Sequence, residues 1–316
     1  MTDADRTDPA PAPDVDRPER LGDYRIGDEI GRGTMGRVFV AHHVSRGDEV
    51  AIKTLALSRE FDGFALREAH ERFVREVQAA ARLDHPDIVR VLDSGQDQGL
   101  AYLVMERLHG HDLTRHVQET SLLSVTQAVA VAARIAEALA HAHAQGVIHR
   151  DIKPANVMVD AERDQVRVMD FGIARLNDAN RTRTGLVLGS PFYMSPEQLA
   201  GHGLDGRSDL YALGVLLFQL LTARLPFNGP TVGHLIHAIA HDTPVDVRAM
   251  RPGLPEPLAN IVTILLQKRP ELRYRDGHQV AVDLRWVADR LQPLSGADGA
   301  VVLSPEPGGL RAQSKP

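Results

Sequence analysis

Three oxygen-bearing side chains near the middle of the sequence have the types and the spacing that transfer of a phosphoryl group requires. Asp151 and Asn156 lie in one short string, and Asp170 begins a second string, Asp170-Phe171-Gly172. The first string reads His149-Arg150-Asp151-Ile152-Lys153-Pro154-Ala155-Asn156. One carboxylate can orient an attacking hydroxyl group, and two further oxygen groups can bind Mg²⁺. Because a helical pattern precedes the first string and a strand pattern follows it, we expect a loop between packed elements.

A glycine-rich stretch, Gly31-x-Gly33-x-x-Gly36-x-Val38, lies upstream of these strings. Glycine lets backbone N–H groups approach phosphate oxygens because no Cβ stands in the way. Dinucleotide-binding folds share this spacing, but they require a helix directly after it. Here the residues after Gly36 continue as a strand pattern, which favours a hairpin that covers a nucleotide. A plain hairpin turn is the alternative interpretation of this stretch by itself.

A lysine at the end of an apolar run is the next candidate. Lys53 follows Val50-Ala51-Ile52, and a lysine buried in such a strand needs an anionic partner. Glu76 is the best-placed partner because it shares a helical face with Phe73 and Ala80. A surface lysine at the end of a strand is the alternative interpretation.

The stretches between these candidates predict the elements that position them. Short runs with valine and isoleucine, separated by turns, predict strands over 24–30, 36–42, 49–55, 88–93, 100–105, 157–159 and 166–169. Apolar residues at helical spacing predict helices around 73–83 and over 124–145, 210–221, 232–241, 258–267 and 277–291. A small β-rich part followed by a larger helical part is therefore expected.

The composition narrows the class of protein. The 316 residues carry a net charge of −6, which argues against a partner such as nucleic acid or an anionic membrane surface. The absence of cysteine excludes disulfides, thiolate catalysis and cysteine-based zinc sites, and it is compatible with the cytosol. The stretch 210–221 is shorter than the ~20 residues that span a bilayer, so we expect a buried helix. Residues 1–20 lack the apolar core of a secretory signal.

These strings together resemble those of the eukaryotic-like serine/threonine protein kinases, especially the bacterial ones, from about Tyr24 to Leu291. The resemblance implies transfer of the γ-phosphoryl group of ATP to serine and threonine hydroxyls of proteins, with Mg²⁺ or Mn²⁺ as cofactor. It implies that Asp151 is the catalytic base and that Lys153 contacts the γ-phosphate. It also implies that Lys53, paired with Glu76, holds the α- and β-phosphates.

The resemblance also assigns residues to the metal and to the nucleotide. Asn156 and Asp170 are the implied metal ligands. The segment 106–108 is similar to the family's hinge, and Met105 to its gatekeeper. The residues implied to contact the nucleotide are Ile30, Gly31, Gly33, Gly36, Val38, Ala51, Lys53, Met105, Glu106, Leu108 and Met158.

Strings further along agree with this resemblance. Ser195-Pro196-Glu197 is similar to the family's Ala-Pro-Glu. Asp209 matches the residue that braces the catalytic loop, and Arg273 matches the buried partner of Glu197. Gly189-Ser190 replaces the commoner Gly-Thr and keeps the hydroxyl group. Lys153 favours serine and threonine over tyrosine as the acceptor.

A regulatory segment is also implied. Thr182 and Thr184 lie where similar bacterial kinases phosphorylate themselves. A phosphate there adds about −1.5 to −2 charges, and Arg150, next to the catalytic base, is a suitable bidentate partner. The resemblance therefore implies activation by autophosphorylation between molecules, for which a homodimer is a candidate assembly.

The implied fold is α+β and bilobal, with a β-rich N-lobe over about 21–105, a hinge at 106–108 and a helical C-lobe over about 109–291. Residues 1–20, rich in proline and aspartate, and residues 292–316, rich in proline and glycine, are expected to be disordered. We expect a cytoplasmic protein that has protein substrates, no nucleic-acid partner and no membrane segment in this chain.

Two other functions are weighed against this interpretation. A pseudokinase scaffold usually lacks the equivalents of Lys53, Asp151 or Asp170, and all three are present. A small-molecule phosphotransferase of the aminoglycoside type shares the loop carboxylates. It would not be expected to combine the glycine-rich stretch with Lys153 and Ser195-Pro196-Glu197.

Histidines at helical spacing suggest a metal site as a further alternative. The histidines concerned are His234, His237 and His241, with His141 and His143 elsewhere in the chain. Such a stripe could bind a transition metal. No carboxylate or cysteine accompanies it in a known pattern, so we expect a solvated face.

Overall fold

The computed structural model of the chain describes residues 18–33, 36–57, 63–171, 191–293 and 301–303. These residues form two compact units. The first contains the described residues up to Glu71 together with Val91–Arg107, and the second contains Arg72–Arg90 and the described residues from Leu108 onward. Within these ranges, no helix is both long enough and apolar enough to cross a membrane.

A six-stranded sheet forms the first unit. Its strands are β1 (Arg20–Leu21), β2 (Tyr24–Gly33), β3 (Gly36–His43), β4 (Glu49–Leu55), β5 (Val91–Asp97) and β6 (Leu100–Glu106). They lie in the order β1-β2-β3-β4-β6-β5, and all neighbours are antiparallel. One face carries a buried cluster of Leu21, Tyr24, Ala41, Val50, Ile52, Tyr102 and Val104. Because side chains alternate along a strand, Val38, Ala51 and Lys53 project from the opposite face.

The fifth strand differs from the sequence-based prediction. A strand was expected over 88–93, but β5 runs over Val91–Asp97. The first part of the predicted strand belongs to the second unit instead, where the N–H of Val89 donates to the carbonyl of Val168 at 3.0 Å. The two residues before β6 have φ values of 51° and 77°, which a two-residue hairpin turn requires. This tight turn lets β5 continue to Asp97, beyond the predicted end of the strand at residue 93.

Helices dominate the second unit. The helices of the described ranges are α1 (Gly63–Ala80), which crosses the boundary between the units, α2 (Val125–Ala144), α3 (Pro196–Leu199), α4 (Gly206–Thr222), α5 (Val232–His241), α6 (Val247–Met250), α7 (Glu256–Leu265) and α8 (Gly277–Ala288). As the apolar stretch predicts, α4 is buried along almost its whole length, and it packs against α2 and α7. Helix α8 packs against α2 so closely that a Cβ on Gly277 would lie 2.3 Å from the carbonyl oxygen of Ala136.

A small sheet in the second unit positions the strings that carry the candidate chemistry. It consists of β7 (His111–Asp112), β8 (Val157–Asp160) and β9 (Gln165–Val168), in that order. The string 149–156 leads directly into β8, and Asp170 follows shortly after β9. Since β8 and β9 are antiparallel neighbours, the start of one strand and the end of the other lie side by side.

Two further strands lie at the C-terminal end of the described chain. They are β10 (Leu291–Pro293) and β11 (Val301–Leu303), which pair in an antiparallel register. They fall in and next to the range that was expected to be disordered; the remainder of that range and residues 1–17 lie outside the described residues. A unit built on a sheet and a unit built mainly of helices confirm the predicted α+β class.

Candidate active site

Asp151 lies at the centre of a hydrogen-bonded loop in the second unit. Lys153 Nζ donates to Asp151 Oδ2 at 2.7 Å. Asn156 Nδ2 donates to the same oxygen at 3.0 Å and to the main-chain carbonyl of Asp151 at 2.7 Å. The Asp151 side chain is 41% exposed, and its Oδ1 makes no hydrogen bond to any residue in the described ranges. This oxygen can therefore accept a hydrogen bond from an incoming hydroxyl group.

The same contacts orient the amide group of Asn156. Both of its side-chain hydrogen bonds run from Nδ2, which leaves Oδ1 as an acceptor for another group. The N–H of Met169 donates to the carbonyl of Asn156 at 2.9 Å, so the loop is tied to the segment that leads to Asp170. Asp170 itself has a φ of 64°, a conformation that is uncommon for residues other than glycine and is often held in place at functional sites.

His149 supports this loop from the interior. The ring is fully buried, and its Nδ1 accepts from the main-chain N–H of Asp151 at 3.2 Å. A ring nitrogen that accepts carries no proton, so Nε2 must be the protonated nitrogen, and it donates to the carbonyl of Met169 at 2.7 Å. The edge of the ring packs on Phe171, with ring centroids 4.6 Å apart. His149 therefore links the Asp151 segment to the Asp170 segment.

Asp209 holds the main chain just before Asp151. Its Oδ2 accepts from the N–H of His149 at 2.8 Å, and its Oδ1 accepts from the N–H of Arg150 at 2.7 Å. His143 Nε2 lies 2.8 Å from the same carboxylate. Arg150 has a φ of 69°, a strained conformation that needs such support. The buried carboxylate of Asp209 thus holds the backbone of His149 and Arg150 and thereby helps to orient the next residue, Asp151.

A buried ion pair anchors the helix that follows residue 195. Arg273 Nη1 and Nη2 donate to Glu197 Oε1 and Oε2 at 2.7 and 2.8 Å. The other three N–H groups of the guanidinium donate to main-chain carbonyls of Arg207, Gln267 and Lys268. Burial raises the pKa of Glu197, but the hydrogen bonds from Arg273 and Ser208 outweigh it and hold the pKa below its usual range. The resemblance implied this pair, and the two side chains do lie in contact.

The three glycines of the glycine-rich stretch differ in how closely other atoms approach them. A Cβ on Gly36 would lie 1.7 Å from the carbonyl oxygen of Thr54, so the packing of β3 on β4 demands glycine there. A Cβ on Gly33 would meet no described atom within 4 Å, and one on Gly31 would make an ordinary contact of 3.6 Å with Val38. Packing within the described chain therefore does not explain Gly31 and Gly33, whereas close approach of a phosphate to the backbone would.

Several predicted nucleotide contacts share one face of the six-stranded sheet. Val38 is paired with Lys53, and Ala51 is paired with Met105. Since cross-strand partners project from the same face, these four side chains form one surface. Ala51 and Met105 are buried, and Val38 and Lys53 are half-buried. The apolar part of this surface suits contact with a nucleotide base, and the lysine at its edge suits contact with the phosphates.

The remaining predicted residues are more dispersed. Glu106 ends β6 and is paired with Val50, which places it on the face opposite to Met105. Leu108 is buried at the start of the second unit. Ile30 is exposed in β2, and Met158 is half-buried in β8. Each of these contacts to a nucleotide remains a prediction.

Glu76 and the regulatory threonines are the last of the predicted site residues. Glu76 is half-buried in α1, one turn from the buried Phe73 and Ala80. Lys53 belongs to the first unit and Glu76 to the second, and their pairing remains a prediction. Thr182 and Thr184 lie outside the described residues, as do Gly172, Gly189 and Ser190.

The sequence analysis did not identify three residues that shape these sites. His143, considered only as part of a histidine cluster, contacts Asp209. Gln198 Nε2 donates to the carbonyl of Arg150 at 2.8 Å, which adds a second support for that strained residue. Glu29 contacts two arginines of the glycine-rich hairpin. No spacing rule points to them, because each acts on a partner that is set by tertiary structure or by strand register.

The histidines of α5 lie beside one another without forming a metal-ligand cluster. The rings of His237 and His241 have centroids 4.8 Å apart, and His234 Nδ1 lies 2.7 Å from Thr231 Oγ1. Throughout the described ranges, no group of three or more histidine, aspartate or glutamate side chains is placed to hold a metal ion.

Comparison with known proteins provides independent information. Residues 24–287 match the protein kinase domain family. The serine/threonine-protein kinase PrkC of Bacillus subtilis is 38% identical over 274 residues, which cover 85% of this chain and 41% of that protein. The serine/threonine-protein kinase PknB of Mycobacterium leprae is 36% identical over 300 residues, which cover 91% of this chain and 47% of that protein. The chain thus spans less than half the length of both relatives.

A solved structure shows the same fold. The crystal structure of the PknI kinase domain of Mycobacterium tuberculosis superposes with a TM-score of 0.68 at 29% identity. The superposition covers 84% of this chain and 97% of that one. The likeness therefore extends over nearly all of a solved kinase domain.

Proposed function

Because this chain belongs to the protein kinase domain family, we propose that it transfers the γ-phosphoryl group of ATP to serine and threonine hydroxyls of proteins. The observation that carries the proposal is the state of the Asp151 carboxylate. Lys153 and Asn156 hold one oxygen, and the other lies at a partly exposed surface without a described partner. The relatives that match most of this chain are named serine/threonine-protein kinases.

In the proposed reaction, Asp151 orients the acceptor hydroxyl. Its second oxygen accepts a hydrogen bond from the hydroxyl group. As the hydroxyl oxygen bonds to the γ-phosphorus, the bond from that phosphorus to the β–γ bridging oxygen breaks, ADP leaves, and Asp151 receives the hydroxyl proton. Lys153 carries a positive charge 2.7 Å from the same carboxylate. It offers a cation to the transferred phosphoryl group. The loop contributes to the reaction mainly because these two side chains position the acceptor hydroxyl and the transferred phosphoryl group.

The residues present also fit a magnesium ion. Asn156 offers an amide oxygen that is not used by its own hydrogen bonds to Asp151, and Asp170 offers a carboxylate. Both are hard oxygen ligands of the kind that Mg²⁺ and Mn²⁺ prefer. When bound, the ion would neutralise phosphate charge. We expect activity to require Mg²⁺ or Mn²⁺, to disappear in excess chelator and not to return with zinc.

For the nucleotide, the first unit supplies a surface of suitable chemistry. Gly31 and Gly33 leave the backbone of the hairpin accessible to phosphates, and Lys53 provides a cation next to the apolar Val38 and Ala51. We assign Lys53 to the α- and β-phosphates, with Glu76 as its proposed anionic partner. The other nucleotide contacts proposed are Ile30, Gly36, Met105, Glu106, Leu108 and Met158.

The proposal is tested by phosphorylation of a generic protein acceptor with radiolabelled ATP. Replacement Asp151→Asn keeps the shape but removes the proton acceptor, so kcat should fall by a factor on the order of 10² or more while ATP binding is retained. Asp164→Asn is a matched control, because that carboxylate is fully exposed and lies in the turn between β8 and β9. Equal rates for the parent and Asp151→Asn would overturn the assignment.

The same assay separates the alternative functions. A pseudokinase would bind ATP without turnover in the parent protein. A small-molecule phosphotransferase would consume ATP with an aminoglycoside and leave proteins unlabelled. Phosphoamino-acid analysis of the labelled acceptor should show phosphoserine and phosphothreonine, and phosphotyrosine as the main product would contradict the specificity assigned to Lys153.

Regulation by phosphorylation of Thr182 and Thr184 is a further part of the proposal. A phosphate between Asp170 and Ser195 would add charge near Arg150, whose backbone is already braced by Asp209 and Gln198. Mass spectrometry of protein made with and without Asp151→Asn should find phosphate on these threonines in the active form alone. Unmodified threonines in active protein would remove this switch and leave the kinase assignment standing.

The proposal extends to the assembly and the location of the protein. Autophosphorylation between molecules requires an encounter of two copies, so a homodimer is a candidate assembly. The composition is compatible with a cytoplasmic location and with protein substrates. Phosphoproteomics of cells that carry the parent protein or Asp151→Asn would identify those substrates.

A further inference from the structure

The strand that carries the glycines has an irregularity directly after one acidic residue, Glu29. In the pairing of β2 with β3, Glu29 lies opposite Phe39, and Gly31 lies opposite Val38. Two steps along β2 thus correspond to one step along β3, so Ile30 is an extra residue in a bulge. A bulge shifts every following side chain of the strand to the other face.

The bulge brings three charged side chains to one face. In a regular strand, residues three positions apart project from opposite faces, but here Glu29 and Arg32 share one. Arg37 lies directly opposite Arg32 and on the face opposite to Val38. These three residues, which we name the hairpin clamp, therefore lie behind the surface that carries Val38 and Lys53.

The clamp is joined by short, charge-assisted hydrogen bonds. Arg32 Nε and Nη2 donate to Glu29 Oε1 and Oε2 at 2.8 and 3.1 Å, and Arg37 Nε donates to Glu29 Oε2 at 2.8 Å. The guanidinium of Arg37 also stacks over Phe39 at 5.2 Å from the ring centroid. Hydrogen bonds from both arginines lower the pKa of Glu29 to about 2. The carboxylate is therefore ionised at every pH at which the protein would be assayed.

Without the glutamate, this end of the hairpin would be unfavourable. Arg32 and Arg37 form a cross-strand pair of like charges, which is destabilising. The neighbouring pairs, Gly31 with Val38 and Gly33 with Gly36, offer few side-chain contacts because of the glycines. Glu29 converts the repulsive pair into a bridge between the two strands, where the glycine pairs supply few other side-chain contacts.

From this geometry we infer that Glu29 is a positioning residue, which holds the glycine-rich hairpin in the conformation that receives the phosphates of ATP. The inference rests on the proposed function, since it concerns nucleotide binding at that site. Glu29 acts through Arg32 and Arg37 from the far face and does not touch the nucleotide itself. Its loss should weaken nucleotide binding more than it changes the chemical step.

The test compares the parent with Glu29→Gln, which keeps the size and removes the charge. We expect the Kd for ATP and the KM for ATP to rise on the order of 5-fold, with kcat at saturating ATP little changed. Binding is measured by calorimetry, so one readout does not depend on turnover. Asp48→Asn is the matched control, because Asp48 pairs with Arg46 at 2.9 Å in the turn at the other end of β3.

A double-mutant cycle separates the clamp from general damage. In a background of Arg32→Gln and Arg37→Gln there is no repulsion to bridge, so Glu29→Gln should then have no further effect on the Kd for ATP. An unchanged Kd in Glu29→Gln, or an effect that persists in that background, would overturn the clamp. If instead the parent neither binds ATP nor phosphorylates protein, the proposed function itself has failed.

Discussion

Two glutamate–arginine networks, one in each unit, use the same chemistry at different depths. In the second unit, the side chain of Arg273 is fully buried and that of Glu197 is 10% exposed. In the first unit, Glu29 is 23% exposed and is shared by Arg32, which is 66% exposed, and Arg37, which is 12% exposed. Both networks contain contacts of 2.7–2.8 Å, a length typical of charge-assisted hydrogen bonds.

From this comparison we expect burial, and not the strength of the contact, to rank the two networks by their contribution to stability. The pKa of the glutamate is lowered in both, and the value of about 2 for Glu29 belongs to the more exposed one. Water can rehydrate Glu29 when an arginine is removed, but it cannot reach Glu197 without disrupting the packing. The exposed network around Glu29 is therefore suited to setting the conformation of the hairpin. The buried Glu197–Arg273 pair is suited to holding parts of the second unit together.

The largest expected effect comes from breaking the buried pair. Arg273→Met leaves the Glu197 carboxylate buried without its cation and removes three hydrogen bonds to main-chain carbonyls. We expect the free energy of unfolding to fall by about 3–5 kcal/mol, measured by urea denaturation. The double variant Glu197→Leu/Arg273→Met should recover part of this loss, and a single variant as stable as the parent would contradict the ranking.

The next largest effect should come from the brace behind the catalytic loop. In Asp209→Asn, one of the two oxygens that accept from His149 and Arg150 becomes an NH₂ group. One buried N–H then loses its acceptor, which costs about 1–3 kcal/mol, and the strained backbone at Arg150 relaxes. We expect kcat to fall together with stability. A normal kcat at a reduced unfolding midpoint would show that the brace stabilises the fold without positioning Asp151.

A half-buried lysine that contacts no carboxylate of the described residues sharpens the comparison through pH. Lys268 Nζ donates to the carbonyls of Ala238 and Ile239, at the end of α5, and lies 3.7 Å from the Phe227 ring centroid. The pKa of Lys268 is lowered to about 8, mainly by burial; the charge of Asp242 offsets part of this shift, and that of Arg273 adds to it.

The sign of the pH effect follows from this shift. From pH 8 to 10 the unfolded chain holds the proton of Lys268 more strongly than the folded chain does, so this group makes stability rise with pH. In Lys268→Met the rise should be smaller when urea denaturation is measured across that range. The tyrosines with raised pKa values, such as Tyr193 at about 12, lower stability only above pH 10. An identical pH slope in the parent and Lys268→Met would contradict the assignment.

The smallest effect on stability is expected at the exposed network. Glu29→Gln should leave the unfolding midpoint close to that of the parent, because the carboxylate is partly hydrated and one of its two partners, Arg32, lies largely in water. The same variant is expected to weaken ATP binding, as described above. If Glu29→Gln lost as much stability as Arg273→Met, burial would not explain the difference between the two networks.

Local sequence patterns determined much of this protein. The spacing of Asp151, Lys153 and Asn156 indicated a catalytic loop, and the apolar stretch at 210–221 indicated a buried helix, because both depend on residues close together in the chain. Short runs with valine and isoleucine, separated by turns, likewise predicted most strands to within a few positions. The resemblance to a kinase, which rests on such strings, agrees with the family match over residues 24–287.

Tertiary structure alone decided the features that depend on distant parts of the chain. The division of the run at 88–93 between two units, the bulge at Ile30 and the protonated nitrogen of His149 each follow from partners that are remote in sequence or set by strand register. Gly36 and Gly33 look alike in the motif, yet the carbonyl of Thr54 makes glycine necessary at the first and no described atom does so at the second. Motifs record residue type and spacing, whereas register, burial and the partner of each polar group are set when the whole chain packs.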